Sequence, residues 1–238
     1  MTENVSALDS LRVSGQVRRI PVPESAAGGQ LDVVGPVSLP IMLSAVEQEA
    51  SWYVGRTVDV HGQIGDRYEE VSVLQFGEPS TAGRPPLVRI HSACLTGDTL
   101  GSMRCDCGPQ LRAAMGQIAD ISGGGLLIYM TAHEGRGIGL WSKAAAYLLQ
   151  EEGLDTYEAN RALAFGDDQR DFRLAVAVLE HLLPDQSFEL LTNNPLKVRS
   201  LERFGVTGAT RRALAEGASP HNECYLRAKR EHGHLLPG

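Results

Sequence analysis

The 238-residue chain has no apolar run near the roughly 18 residues that a membrane-crossing helix needs. Its longest compact apolar runs are Leu126–Met130 and Leu174–Leu179. The opening residues, MTENVSALDS, lack a basic start followed by an apolar stretch, so no secretory leader is expected and a cytoplasmic location is the default. Lys and Arg are outnumbered 22 to 29, and the formal net charge is −7. That balance argues against broad binding to a nucleic-acid backbone, although it leaves room for a local basic pocket around one phosphate compound. Neither G-x-G-x-x-G nor G-x-x-x-x-G-K-[ST] occurs, which removes the dinucleotide-fold and P-loop phosphate sites. The H-x-E then P-C-x-x-C signature of zinc base deaminases is missing as well. There is no internal repeat and no low-complexity tract.

What is present suits a folded protein. Apolar residues make up 42% and charged residues 21%, ordinary globular values for one large or two small domains. The first ten residues read as a mobile tail. Residues 11–86 are weakly patterned. Val13, Val17, Ile20 and Val22 suggest extended chain, Ile41–Trp52 a short helix, and Val58, Val60, Val71, Val73 and Leu74 antiparallel strands. Ser80–Pro86 is a turn-rich connector. From residue 87 the signals sharpen. Strands are expected at Leu87–Ile90, Leu126–Met130 and Phe188–Leu191. Helices are expected at Pro109–Ile121, Leu140–Glu152 and Asp171–Leu183, with another from Asn194–Pro195 to Gly205. This mixture fits an α+β or α/β class.

Cysteines are few, at 94, 105, 107 and 224, and three of them fall within fourteen residues. If residues 105–107 are extended, Cys105 and Cys107 face the same way, and Cys94 can return to them across a ten-residue loop. Three thiolates without an obvious fourth ligand is the donor set of a catalytic zinc, whose open position holds a water of lowered pKa. Spacing alone leaves inert buried thiols equally open. Cys224 reads as a lone thiol, and His221, His232 and His234 as surface side chains rather than ligands.

Two loops could meet an anion. His133-Glu-Gly-Arg-Gly-Ile-Gly139 lies between a predicted strand and a predicted helix. Its glycines permit close backbone approach, and Arg136 can fork onto a phosphate. Gly166-Asp-Asp168-Gln-Arg170-Asp171-Phe172 places a carboxylate and an arginine before a helix. That arrangement suits proton transfer and phosphate contact, or simply a solvated first turn. Leu191-Thr-Asn-Asn-Pro195-Leu-Lys197 is a strand end running into a helix, where Thr192 or Asn193 is either a cap or a ligand contact.

The ordered set RIHSACLTGD, SMRCDCGPQL, HEGRGIGL, DTYEAN, FGDDQRDF, LLTNNPLKV and NECYLRAKREHGHLL resembles the GTP cyclohydrolase II family, which opens riboflavin biosynthesis from GTP. The resemblance covers about residues 87–236. It implies an α+β fold of mixed sheets flanked by helices, with residues 87–238 as the catalytic region and residues 1–86 as a lid or dimer element. It also implies zinc on Cys94, Cys105 and Cys107. Nucleotide contacts would come from Arg89, His91, Ser92, Gln110, Glu134, Gly135, Arg136, Thr156, Thr192 and Lys197. Asp168 would be the proton acceptor, Arg170 the nucleophile toward the α-phosphate, and Tyr147 a neighbour of the opened base. Mg2+ would accompany the triphosphate, and the chain would form a homodimer, with no nucleic-acid or membrane partner. The implied reaction opens the imidazole ring, releases formate and pyrophosphate, and leaves a 2,5-diamino-6-ribosylaminopyrimidinone phosphate.

The chain departs from the family pattern at three places, one of them the tail, where Asn222 and Tyr225 keep the pattern but His221 and Cys224 differ from the usual residues. Ala93 stands where the family has a glutamate, and Met130-Thr-Ala-His133 is one residue longer, with His133 in place of a glutamine. These leave a second reading, a paralogue that retains the formamide or takes a modified guanine nucleotide in a secondary or pyrimidine-related pathway. A nucleotide-binding regulator without catalysis and a purely structural zinc module complete the alternatives.

Overall fold

The computed structural model describes residues 7–24, 29–66, 68–79, 83–184 and 187–236. One eight-stranded mixed sheet runs through them in the order β1-β2-β3-β4-β6-β5-β7-β8. Strands β1 (Val17–Pro21), β2 (Gln30–Leu43), β3 (Val46–Val58) and β4 (Glu70–Phe76) form an antiparallel meander, and β4 pairs antiparallel with β6 (Gly125–Met130). From there the sheet is parallel through β5 (Leu87–Ser92), β7 (Phe188–Leu191) and β8 (Ala209–Arg212). The meander of the first 86 residues therefore continues the sheet that carries the later motifs.

The parallel half explains itself locally. β5 is buried along its first five residues, as a strand covered on both faces must be. One face packs against α6 (Arg173–Leu182), where Phe172, Val176, Leu179 and Leu183 form the expected apolar stripe. The other face meets α3 (Cys107–Asp120) through Ala114 and Ile118. Asn194 caps α7 (Pro195–Arg203) by accepting from the Leu196 N–H at 2.9 Å, and Pro195 fills the first turn. Asp155 and Glu158 close a reciprocal capping box at the start of α5 (Thr156–Ala162). Helix α4 (Gly139–Glu151) ends as expected before Gly153.

Three expectations are corrected. Ile41–Trp52 is the tip of the β2–β3 hairpin and not a helix, with Leu43 opposite Val46. Its two-residue turn uses Ser44 and Ala45, both at positive φ, which is normally the province of Asn or Gly. The turn therefore lacks its usual signature, and cross-strand pairing overrides the helical composition. The supposed tail contains α1 (Ala7–Val13), exposed throughout, and Val60 lies in a turn beyond β3. Residues 1–6, and 80–82 of the connector, lie outside the described residues. Also unanticipated were α2 (Leu95–Asp98), a kinked 3-10 turn at Thr131–Arg136, α5, β8 and α8 (Glu223–Glu231). Among the described residues no helix is long and apolar enough to cross a membrane.

The chain runs from β5 to β6 on one side and then to β7 on the other. Sheets with parallel strands open a crevice at the carboxyl ends where the order reverses. The loops after β5, β6 and β7 all meet there.

Candidate active site

At the end of β5 the chain turns into α2, and Asp98 ties the turn down. Its carboxylate accepts from the Cys94 N–H at 3.0 Å and from the Tyr129 hydroxyl at 2.9 Å, and it bonds His91 Nε2 at 3.0 Å. Gly97 then lies against the start of α3. A Cβ on Gly108 would stand 2.1 Å from the Gly97 carbonyl oxygen, and one on Gly97 would stand 2.8 Å from Cys105 Sγ and 3.2 Å from Cys94 Sγ. Only glycines permit this approach, and it brings the three thiols together. The sulfurs of Cys94, Cys105 and Cys107 all lie within 4.8 Å of one another, with Cys94 and Cys105 at 3.6 Å. The convergence does not come from an extended segment. Cys105 sits in a bend, and Cys107 is the first residue of α3.

The donor set fits a zinc ion. Tetrahedral Zn–S bonds of about 2.3 Å place sulfurs about 3.8 Å apart. Hydrogen bonds from Cys105 and Cys107 hold Cys94 far below the ordinary thiol range. The same sharing, with burial, pushes Cys107 well above it. Without a cation the cluster cannot hold three thiolates, whereas a divalent ion removes that conflict. Lys143 from α4 donates to Cys94 Sγ at 3.2 Å and to Glu134 Oε1 at 2.6 Å. Burial opposes its charge, but Glu134 and Cys94 hold it above the usual lysine range.

The cavity beside the thiols is lined by seven basic side chains, Arg89, Arg104, Arg136, Lys143, Arg170, Lys197 and Lys229. Among the described residues Asp106 is the one carboxylate on its wall. In a chain of net charge −7 this is a concentrated anion site. Arg136 takes positive φ between Gly135 and Gly137, its guanidinium lies 3.7 Å over the Tyr157 ring, and its buried Nη1 has no hydrogen-bond partner among the described residues. A left-handed arginine costs about 1–2 kcal/mol, a strain typical of ligand-binding positions. Lys197 is buried and donates to the Ile90 carbonyl at 2.8 Å; burial, then Arg89 and Arg170, push its pKa far down. A bound anion would favour its charged form.

The expected site residues separate into groups. His91, Ser92, Gly135, Arg136, Tyr147, Thr156, Arg170 and Lys197 reach the cavity wall. Tyr147 bonds Thr96 Oγ1 at 3.2 Å, and Arg104 covers its ring. Arg89 and Gln110 also line the cavity but are largely engaged. Arg89 donates to the Leu191 carbonyl and to Gln110 Oε1, each at 2.7 Å, and Gln110 donates to Asp106 Oδ2 at 2.6 Å. Glu134, Thr192 and Asp168 stand behind the wall. The Glu134 carboxylate accepts from Lys143 and from the Leu95 N–H at 2.7 Å, so its side chain joins the glycine loop to the Cys94 turn. Thr192 caps the turn by accepting from the Asn194 N–H at 3.0 Å. Asp168 grips Arg170 through both oxygens, at 2.8 and 2.5 Å. Burial opposes its charge, but Arg170 holds it below the usual carboxylate range.

Lys143, Asp106, Lys229 and, as a cavity residue, Asn194 were missed, whereas Asn193, expected as a cap or a ligand contact, lines the cavity. Lys143 lies four residues before Tyr147, one helical face, and that spacing could have found it. Nothing in the sequence marks Lys229, which reaches Asp106 at 2.6 Å across 123 residues. His234 is half-buried and lines the cavity. His133 bonds Ser92 Oγ through Nδ1 at 3.2 Å and the Asp171 carbonyl through Nε2 at 2.8 Å, while Arg170 donates to the same Ser92 oxygen at 3.2 Å.

Residues 56–212 match the family model described as GTP cyclohydrolase II. The GTP cyclohydrolase-2 of Pseudomonas fluorescens (strain SBW25) is 52% identical over 157 residues, 66% of this chain and 75% of that protein. That of Pseudomonas syringae pv. tomato is 50% identical over 165 residues, 69% and 78% respectively. The riboflavin biosynthesis protein RibBA of Salinispora arenicola is 52% identical over 155 residues, 65% of this chain but 36% of that longer protein. The thiol cluster, the basic crevice at the strand switch and a match from the end of β3 to the end of β8 agree, and the chain belongs to the GTP cyclohydrolase II family.

Proposed function

We propose that this protein is a zinc-dependent hydrolase that opens the imidazole ring of GTP in riboflavin biosynthesis, releasing formate and pyrophosphate. The observation that carries the reading is the position of three converging thiols on the wall of a cavity whose charge is almost wholly basic. Zinc on Cys94, Cys105 and Cys107 supplies Lewis acidity and a water acidified enough to react near neutral pH. One water adds at the ring carbon between the two imidazole nitrogens, and a second cleaves the resulting formamide to formate. Loss of pyrophosphate breaks the bond between the α- and β-phosphates, with water supplying the oxygen in the net balance.

The protein's own groups bind and orient. Among the described residues Arg136 and Lys197 have no carboxylate partner, and they take up phosphate charge, shared with Mg2+. Arg170 is held protonated, so attack on the α-phosphate first requires loss of a proton, and Asp168 at 2.5 Å is the acceptor in contact. His91 is kept neutral, chiefly by burial, and its buried Nδ1 is free of partners. With Nε2–H donating to Asp98, Nδ1 is left as an acceptor for a donor on the nucleotide. Tyr147 flanks the thiols and faces the base. The catalytic region is residues 87–238, with residues 1–86 completing the sheet, and the active species is a homodimer.

Incubating the zinc-loaded chain with GTP and Mg2+ tests this, with formate, pyrophosphate and zinc content measured on one sample. Release of both products is expected, and neither appearing from fully loaded protein sinks the reading. Cys105→Ser should abolish turnover and leave a folded chain; global unfolding would instead indicate a structural zinc.

A second reading is favoured by Ala93, which lines the cavity without a carboxylate. There the ring opens but the formyl group is retained. Product mass separates the two, because a formamide keeps the carbon and oxygen that formate would carry away.

A further inference from the structure

The match to the family model ends at residue 212, but the cavity does not. Its remaining wall is α8 and the chain after it, which contribute Tyr225, Lys229, His234 and Leu236. Three separate contacts seat this segment. Lys229 donates to Asp106 Oδ1 at 2.6 Å, in the turn between Cys105 and Cys107. The His232 ring stacks on Tyr157 of α5, with centroids 3.4 Å apart and planes 7° from parallel. The Leu235 N–H donates to the Asn193 carbonyl at 2.8 Å, in the turn after β7. A loosely attached terminus would not hold contacts to three different elements of the site.

His234 is the group in this wall with unused capacity. Its Nδ1 is buried and has no hydrogen-bond partner among the described residues. Leaving a buried polar atom unmet is costly, so a site that keeps one is built for something to meet it. The charges felt by the ring are Lys229, Arg136, Arg170 and Lys197, all basic. Burial and these neighbours hold His234 down to about 4, so the ring is neutral near pH 7 and can carry its proton on Nδ1 as a donor. Arg136 Nη1, also buried, is likewise without a partner. Two unmet nitrogens among several cations describe a receptor for an anion with several oxygens.

We propose that residues 222–236 form part of the substrate site and that His234, together with Arg136, binds the polyphosphate of the nucleotide from the C-terminal side. This rests on the nucleotide reading above and adds to it a contact from a segment beyond the family-model match, in the tail whose sequence resembles the family.

The full-length, zinc-loaded chain tests it by calorimetry with inorganic tripolyphosphate and, separately, guanosine. His234→Ala should weaken tripolyphosphate binding about tenfold or more, the loss of one hydrogen bond to a charged group. It should raise the KM for GTP by a similar factor, change kcat less, and leave guanosine binding alone. His234→Asn, which keeps an N–H donor near the Nδ1 position, should recover most of the loss. If the alanine variant folds poorly, the unmutated chain still decides: tripolyphosphate should shift the His234 ring resonances and raise its pKa. Wild-type tripolyphosphate affinity in both variants, or unmoved His234 resonances on saturation, overturns the proposal. Formate release with His234 indifferent refutes this inference and spares the GTP reading. A His234-dependent tripolyphosphate site without formate release does the reverse.

Discussion

The ammonium of Lys143 donates to the sulfur of Cys94 at 3.2 Å, and Glu134 holds it there from the other side at 2.6 Å. Three thiolates and a divalent cation carry a net negative charge, which Lys143 offsets. Partners one step removed from a metal typically change its affinity by about 10–100-fold. Lys143→Met keeps the aliphatic stem and removes the charge. Zinc affinity should fall by about that factor, measured by competition with a chromophoric chelator. Unchanged affinity would show the contact to be incidental.

Gly108→Ala should disperse the thiols. Its new Cβ would meet the Gly97 carbonyl oxygen at 2.1 Å, a backbone atom that cannot rotate away, so α2 must shift. A cost of about 1–3 kcal/mol and loss of stoichiometric zinc are expected. Gly116→Ala on the same helix is the control, because nothing lies within 4 Å of its Cβ. That change should be neutral or gain about 0.5–1 kcal/mol. Thermal unfolding and metal analysis of the pair read both effects.

Asp168→Asn removes the charge that both oxygens present to Arg170. If Asp168 accepts a proton during phosphate cleavage, pyrophosphate release should slow by about 10²–10⁴-fold with zinc content unchanged. Stopped assays that follow pyrophosphate and formate separately show which step is affected. Equal slowing of both would mean that the pair merely positions Ser92 and its neighbours.

His133 sets an acid limit on stability. Burial, chiefly, holds it down to about 4 in the folded protein, against about 6.5 for an unperturbed histidine. Between those values the unfolded chain binds the extra proton, so stability is complete above about pH 6.5 and declines as the pH falls toward about 4. The full contribution is on the order of 3 kcal/mol. His133→Gln should flatten the decline without abolishing it, because His234 behaves the same way. Urea midpoints at pH 7 and pH 5 for both proteins measure the difference, and identical pH slopes would refute it.

The parallel half of the fold could be read in the sequence because its signals are local. Asn194–Pro195 announces α7, and the stripe from Phe172 to Leu183 announces α6. The meander was harder to read. A helix-like composition at Ile41–Trp52 yields to pairing with neighbouring strands, and Ser44–Ala45 turns without a glycine or asparagine to mark it. The pairing of Ser51 with Gln75 and Trp52 with Leu74 is a gain from outside that stretch, which local composition does not contain.

By itself the sequence determined which chemical groups are at hand: three cysteines at 94, 105 and 107, an arginine between glycines, and an Asp168–Arg170 pair, in an order that resembles one family. Only the tertiary structure decided which of these groups are free to meet a ligand. It engages Glu134 with Lys143, and Arg89 with Gln110 and Leu191, while leaving nitrogens of Arg136 and His234 buried and unmet. It also closes the cavity with α8, more than one hundred residues from the cysteines it covers. The reason is that chemical identity is a property of a residue, whereas availability depends on what the packed chain places within about 3 Å of it.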